Sequence, residues 1–221
     1  MLRAATVSLA LTALVGGCGL TPVEPDAGPP GDDARVGGAD AEPPASVLQF
    51  VFTSDPKVPG DLGGRESATV DTLEIELEDI RAISDNASPT LPELELEWGD
   101  GYNEDEVSLY FDDAPPGIYS RLRAQIEEIS ITGTVEVEDQ DYDYIINGEA
   151  QNASIAVDLT AVSLSGTSTT KVEIAVAIRD AIRDLDWTAL QALAVDQTIV
   201  MPDDLFDEFA ATVADAFEQK D

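Results

Sequence analysis

The sequence predicts a mainly β protein: an antiparallel β-sandwich with a short helix and a C-terminal amphipathic helix. Three observations carry this. From Val47 onward, apolar and acidic residues alternate with a period of two; turn-rich gaps interrupt the alternation at short intervals; and the period changes to that of a helix in the last quarter of the chain. A period of two places one face of a strand in a core and the other in water.

The elements follow in chain order. Residues 47–53 form a first apolar strand. In TLEIELEDI, Leu73, Ile75 and Leu77 face one way and Glu74, Glu76 and Glu78 the other. ELELEW repeats the pattern with Leu94, Leu96 and Trp98, and EVSLYFDD with Val107, Leu109 and Phe111. Further strands are expected at 118–126, 130–138, 142–149 and 153–162, and TKVEIAVAI supplies Val172, Ile174, Val176 and Ile178. The gaps DPKVPGDLGG, DNASP and GDGYNED are rich in turn formers. In RDLDWTALQAL, Asp186 is placed to cap a short helix, with Leu185 and Leu190 as a staple across the cap. Trp187, Leu190 and Leu193 are expected on its inner face. After a short strand TIVM and Pro202, Leu205, Phe209, Val213 and Phe217 recur every four residues as one apolar stripe. Asp203 and Asp204 favour the start of that helix. The stripe is expected to seal one end of the sandwich, the competing reading being a docking helix for a partner.

Ahead of this domain, residues 1–17 read as a signal peptide: Arg3, then an apolar run from Ala4 to Val15 too short to span a membrane. The only cysteine, Cys18, follows at once. Leu14-Val15-Gly16-Gly17-Cys18 resembles the lipobox of bacterial lipoproteins, with Val15 where that family prefers leucine. The resemblance implies cleavage before Cys18, acylation of its sulfur by palmitate-like chains and of its new amine, and a membrane lipid anchor. More than one chain is needed for lasting attachment, at about 0.8 kcal/mol per buried methylene. Gly19 in place of aspartate implies the outer membrane or cell surface. Residues 18–46 then form the lipidated cysteine and a disordered tether rich in proline, glycine and acid, spanning on the order of 30 Å as a coil. Residues 47–221 form one domain.

Charge narrows the partners. With 45 acidic and 11 basic residues the formal net charge is −34, which repels nucleic acid and anionic headgroups. The few lysines (Lys57, Lys171 and Lys220) beside eight arginines resemble proteins of salty habitats, where screening tolerates self-repulsion. Neutralisation by divalent cations is the competing account.

A local motif extends the resemblance. In DAPPGIYSRLRAQI, residues 113–126, a Pro-Pro-Gly turn feeds a strand starting near Tyr119, with Gly117 expected to supply a positive φ. This is similar to the PPG-x-Y hairpin of prealbumin-like sandwiches, including an uncharacterised domain of bacterial surface lipoproteins. The resemblance implies fold and location and no activity.

Chemistry is bounded by what the chain lacks. There is no histidine, and its single cysteine is assigned to lipid, which excludes imidazole bases, histidine-ligated zinc and thiolate catalysis. No glycine-rich nucleotide loop is present. Carboxylates remain. Paired acids hydrolyse glycosides, so a carboxylate-dependent glycoside hydrolase is the alternative to a non-catalytic envelope module. No resident cofactor is expected; calcium is the one candidate ligand, through Asp139 and Asp141 of DQDYDY and through Asp100 and Asp105 of the loop after Trp98. DQDYDY is no EF-hand: glycine is needed where Tyr144 stands and glutamate where Ala150 stands. The alternation on either side makes it a hairpin, with Asp139-Gln140-Asp141 near the tip. The role expected of the protein is thus a lipid-anchored, non-catalytic binding or structural module, its partner an envelope protein, a glycan or another envelope component.

Overall fold

Alternation of apolar and polar residues becomes strands wherever the inward side chains reach a common core. The computed structural model describes residues 46–63, 67–99 and 105–220. The chain runs β1 (Val47–Ser54), β2 (Gly60–Asp61), β3 (Thr69–Val70), β4 (Thr72–Ser84), β5 (Thr90–Gly99), β6 (Glu106–Phe111), β7 (Gly117–Val137), β8 (Gln140–Glu149), β9 (Ser154–Leu164) and β10 (Thr169–Val176). Then come α1 (Arg179–Arg183), α2 (Trp187–Gln191), β11 (Thr198–Val200), α3 (Asp203–Asp215) and β12 (Phe217–Gln219). The protein is mainly β. A four-stranded sheet has the order β12-β10-β1-β6, a six-stranded sheet the order β11-β8-β7-β4-β5 with β9 also on β7, and β2 and β3 form a small ribbon.

The inward faces of both larger sheets supply one apolar cluster. It includes Leu48, Phe50 and Phe52 of β1, Leu73, Ile75 and Leu77 of β4, and Ile129 and Ile131 of β7. Each such side chain, fully buried, contributes about 1.5–3 kcal/mol. Both tryptophans lie in this core, Trp98 at 1% and Trp187 at 2% exposure.

Pairing departs from the expected antiparallel arrangement at two places. β1 runs parallel to β10, and β11 runs parallel to β8. Alternation within a strand is the same whichever way its neighbour runs, so the sequence carries no sign of this.

The longest strand also differs. The expected strands 118–126 and 130–138 are the continuous 21-residue β7. Its buried positions step by two through Leu122, Ala124 and Ile126, jump to Ile129, and resume through Ile131. The extra residue lies at Glu127-Glu128, where the register with β4 shifts between Glu76 and Leu77. A β-bulge therefore breaks the parity without breaking the strand. One long edge of β7 pairs with β4; the other pairs first with β9 and then with β8.

The Pro-Pro-Gly turn delivers Tyr119 into the core by another route than expected. Asp113, not Gly117, takes the left-handed backbone, with φ 59°. Gly117 serves by lacking a side chain, since a Cβ there would lie 2.8 Å from an Asp85 carboxylate oxygen. The buried Tyr119 hydroxyl donates back to the Pro115 carbonyl at 2.7 Å, and burial, then the charge of Asp85, raises its pKa. Tyr119→Phe is expected to cost about 1 kcal/mol, read as a lower melting temperature with an unchanged far-ultraviolet spectrum.

The helices repeat the theme of partial legibility. Asp186 caps α2 as expected, accepting from the Ala189 N–H at 3.0 Å. Trp187 and Leu190 are buried, but Leu193 is 55% exposed. On α3 the buried face is Phe206, Phe209, Ala210, Val213 and Ala214, while Leu205 is 42% exposed. The expected four-residue spacing drifts around the helix, so its first member turns outward. Its last member, Phe217, belongs to β12, which pairs with β10.

Candidate functional site

The exposed face of the six-stranded sheet arranges its charges in rows. Register aligns Glu95 of β5, Glu76 of β4, Glu128 of β7 and Glu149 of β8 across four adjacent strands. On one side lies the pair Glu74 and Glu97, continued by Ser130 and Asn147; on the other lie Glu78 and Glu93, continued by Gln125 and Ser154. Strands stand about 4.8 Å apart, and like charges directly opposite destabilise a sheet. The strand period that buries Leu73, Ile75 and Leu77 thus also builds this acidic surface.

Glu76 lies at its centre, half-buried in a depression of about 240 Å³ lined by Glu74, Glu95, Glu128 and Ser130. Desolvation raises the Glu76 pKa most, followed by the charges of Glu127, Glu95, Glu128 and Glu93. On β10 of the other sheet the situation reverses: a hydrogen bond from Lys171 and its charge lower the pKa of Glu173. A raised acid pKa means that the folded state binds the proton more tightly than the unfolded chain. Glu76 therefore opposes folding once pH rises through its folded pKa, and the opposition vanishes below the ordinary carboxylate range. Glu76→Gln is expected to raise the melting temperature near neutral pH at low salt. The gain should fade at acid pH and at 1 M salt, where the screening length is about 3 Å.

Of the carboxylates suggested for calcium, the described ones, Asp139, Asp141 and Asp105, belong to no three-acid cluster. The β7–β8 hairpin turns on two residues, Glu138 and Asp139, with φ 52° and 62°, and Val137 already pairs with Gln140. The tip is thus one residue earlier than expected, because both turn residues adopt the left-handed conformation of a tight hairpin. Asp139 is exposed at this turn, whereas Asp141 is exposed within β8 opposite Glu136. Asp105 pairs with Lys57 at 2.7 Å. Asp100 lies outside the described residues, as does Cys18. Among the described residues no group of three acidic or cysteine side chains gathers round a point, and no helix is long and apolar enough to cross a membrane.

In comparisons with protein-family models, curated proteins and solved structures, nothing matches this chain.

Two further features escaped sequence reasoning. A cleft of about 390 Å³ lies between the α1–α2 segment and α3, with Leu185, Leu193, Leu205 and Phe209 on its walls and Asp184 and Glu208 at its rim. The second is the acidic row itself. Each glutamate triplet is legible as the wet side of a strand, but their alignment depends on register across the Glu127-Glu128 bulge. The repeated spacing of ELEIELE-like segments was the one signal available.

Proposed function

We propose that the chain is a lipid-anchored protein of the bacterial envelope, acylated at Cys18. In this reading residues 47–221 form a β-sandwich that serves as a non-catalytic binding or structural module at the outer membrane or cell surface. The observation that carries the proposal is the lone cysteine closing the apolar run Ala4–Val15. A shared core between the two larger sheets supports the sandwich. So does the Tyr119–Pro115 hydrogen bond, which resembles the tyrosine corner of sandwich folds. An open, acid-bearing sheet face supports a binding surface for an envelope protein or glycan, with calcium as a counter-ion.

Glu76 favours a second reading, a glycan hydrolase, since a general acid needs a raised pKa. We place it second because the depression is small, at about 240 Å³, and both tryptophans, the natural sugar platforms, are core residues. The test is expression of the full chain with labelled palmitate, followed by capture of envelope partners in high salt with and without calcium. Labelled protein that retains an envelope component supports the proposal. Absence of label, or turnover of envelope glycan abolished by Glu76→Gln, contradicts it.

A further inference from the structure

Two arginines stand side by side in a chain that has carboxylates to spare. Arg81 of β4 and Arg123 of β7 are direct cross-strand neighbours on the exposed face, flanked in the same row by Thr90 of β5 and Ala156 of β9. Like charges at that spacing repel. Among the other described cations Lys57, Arg121, Lys171, Arg179 and Arg183 each hold a carboxylate, and Lys220 near the end of the chain is the exception. Among the described residues Arg81 and Arg123 form no ion pair. Both line a depression of about 460 Å³ with Asp79, Ile83, Gln125 and Ser154, within the range of about 300–1,000 Å³ usual for small-ligand sites. Ser154 donates to the Gln125 carbonyl oxygen at 2.9 Å, so the Gln125 amide nitrogen keeps its N–H donors.

We propose that this depression binds an acidic saccharide through a uronate carboxylate. Two guanidinium forks match the planar carboxylate, the Gln125 N–H groups meet ring hydroxyls, and Ile83 with Ala156 borders the apolar face of the sugar. A peptide adding to the sheet is disfavoured here, because β4 and β7 are paired on both sides and offer no edge. The adjoining row of Glu78 and Glu93 repels a dense polyanion, which selects a carboxylate set among neutral sugars. This names a ligand class for the module proposed above and rests on its non-catalytic reading.

The test is calorimetric titration of the full chain with cellobiouronic acid, its methyl ester and cellobiose. Binding of the uronate alone is expected, with Arg81→Gln and Arg123→Gln each weakening it about ten-fold and Arg179→Gln leaving it unchanged. Both variants relieve repulsion, so they should melt no lower than the parent. No uronate binding, equal binding of the ester, or unchanged affinity in the double variant would overturn the inference. A tripeptide with a free C-terminal carboxylate binding as tightly as the uronate would overturn the saccharide assignment. Recovery of cleaved disaccharide would instead refute the non-catalytic reading, while failure to bind leaves that reading standing.

Discussion

Truncation after Met201 is expected to unfold the domain. The removed segment carries Phe206, Phe209, Val213 and Phe217, all buried at 6% exposure or less. At about 1.5–3 kcal/mol each their burial amounts to roughly 6–12 kcal/mol, comparable to the ~5–15 kcal/mol that holds a typical domain together. The loss extends into both sheets. Phe206 packs over Gly148 of β8, where a Cβ would come within 3.1 Å of its ring. Phe217 of β12 pairs with Val176 and meets Phe52 edge-on at 6.5 Å. Circular dichroism of the truncated chain should show no cooperative melt, and Phe209→Ala alone should cost about 3–5 kcal/mol. A truncated chain that kept its strand signal and melted cooperatively would return α3 to the role of a docking helix.

Gly133→Ala should be the most damaging single methyl group that can be added to β7. A Cβ at Gly133 would lie 2.0 Å from the Thr69 carbonyl oxygen and 2.6 Å from the Tyr144 hydroxyl. These two atoms are themselves joined, the phenol donating to the carbonyl at 2.7 Å. Neither can retreat easily. Thr69 is fixed by β3, and the Tyr144 ring packs against Trp187 at 5.0 Å. Burial, with a smaller contribution from Asp71, raises the Tyr144 pKa, so the phenol remains a donor at any ordinary pH. Overpacking of this kind costs about 3 kcal/mol, or roughly 6–12 °C in melting temperature for a domain of this size. Adding Tyr144→Phe should give little rescue, because the Thr69 carbonyl still blocks the methyl group. A melting temperature equal to that of the parent would contradict this packing.

What the sequence made legible was local. Each strand with unbroken parity, from Leu73 to Leu77 or Val172 to Val176, announced its inner face, and Asp186 announced its cap. Features that depend on distant segments stayed hidden. The β7 bulge at Glu127-Glu128 looked like a gap between strands because the parity reset without a turn residue. The parallel pairings of β1 and β11 left no trace, since a strand's own pattern is blind to its neighbour's direction. Leu193 and Leu205 fit the apolar spacing yet face water, because spacing alone does not say how a helix is rotated against its sheet. The glutamate rows and the Arg81–Arg123 pair share this character. Most of their residues are legible as wet strand positions, but Glu128 falls in the expected gap and Arg81 just past TLEIELEDI, and only register sets Glu76 beside Glu95 and Glu128, or one arginine against the other.

The lipid anchor is the claim on which the proposed role turns, and the mass of the mature protein tests it most directly. The full chain and its Cys18→Ser variant would be expressed in a diderm bacterium, extracted in detergent and measured intact. The account predicts that the parent begins at Cys18 and carries the added mass of acyl chains on that residue, while the variant carries none. A mature parent with an unmodified Cys18, or with Cys18 removed together with the leader, would contradict it.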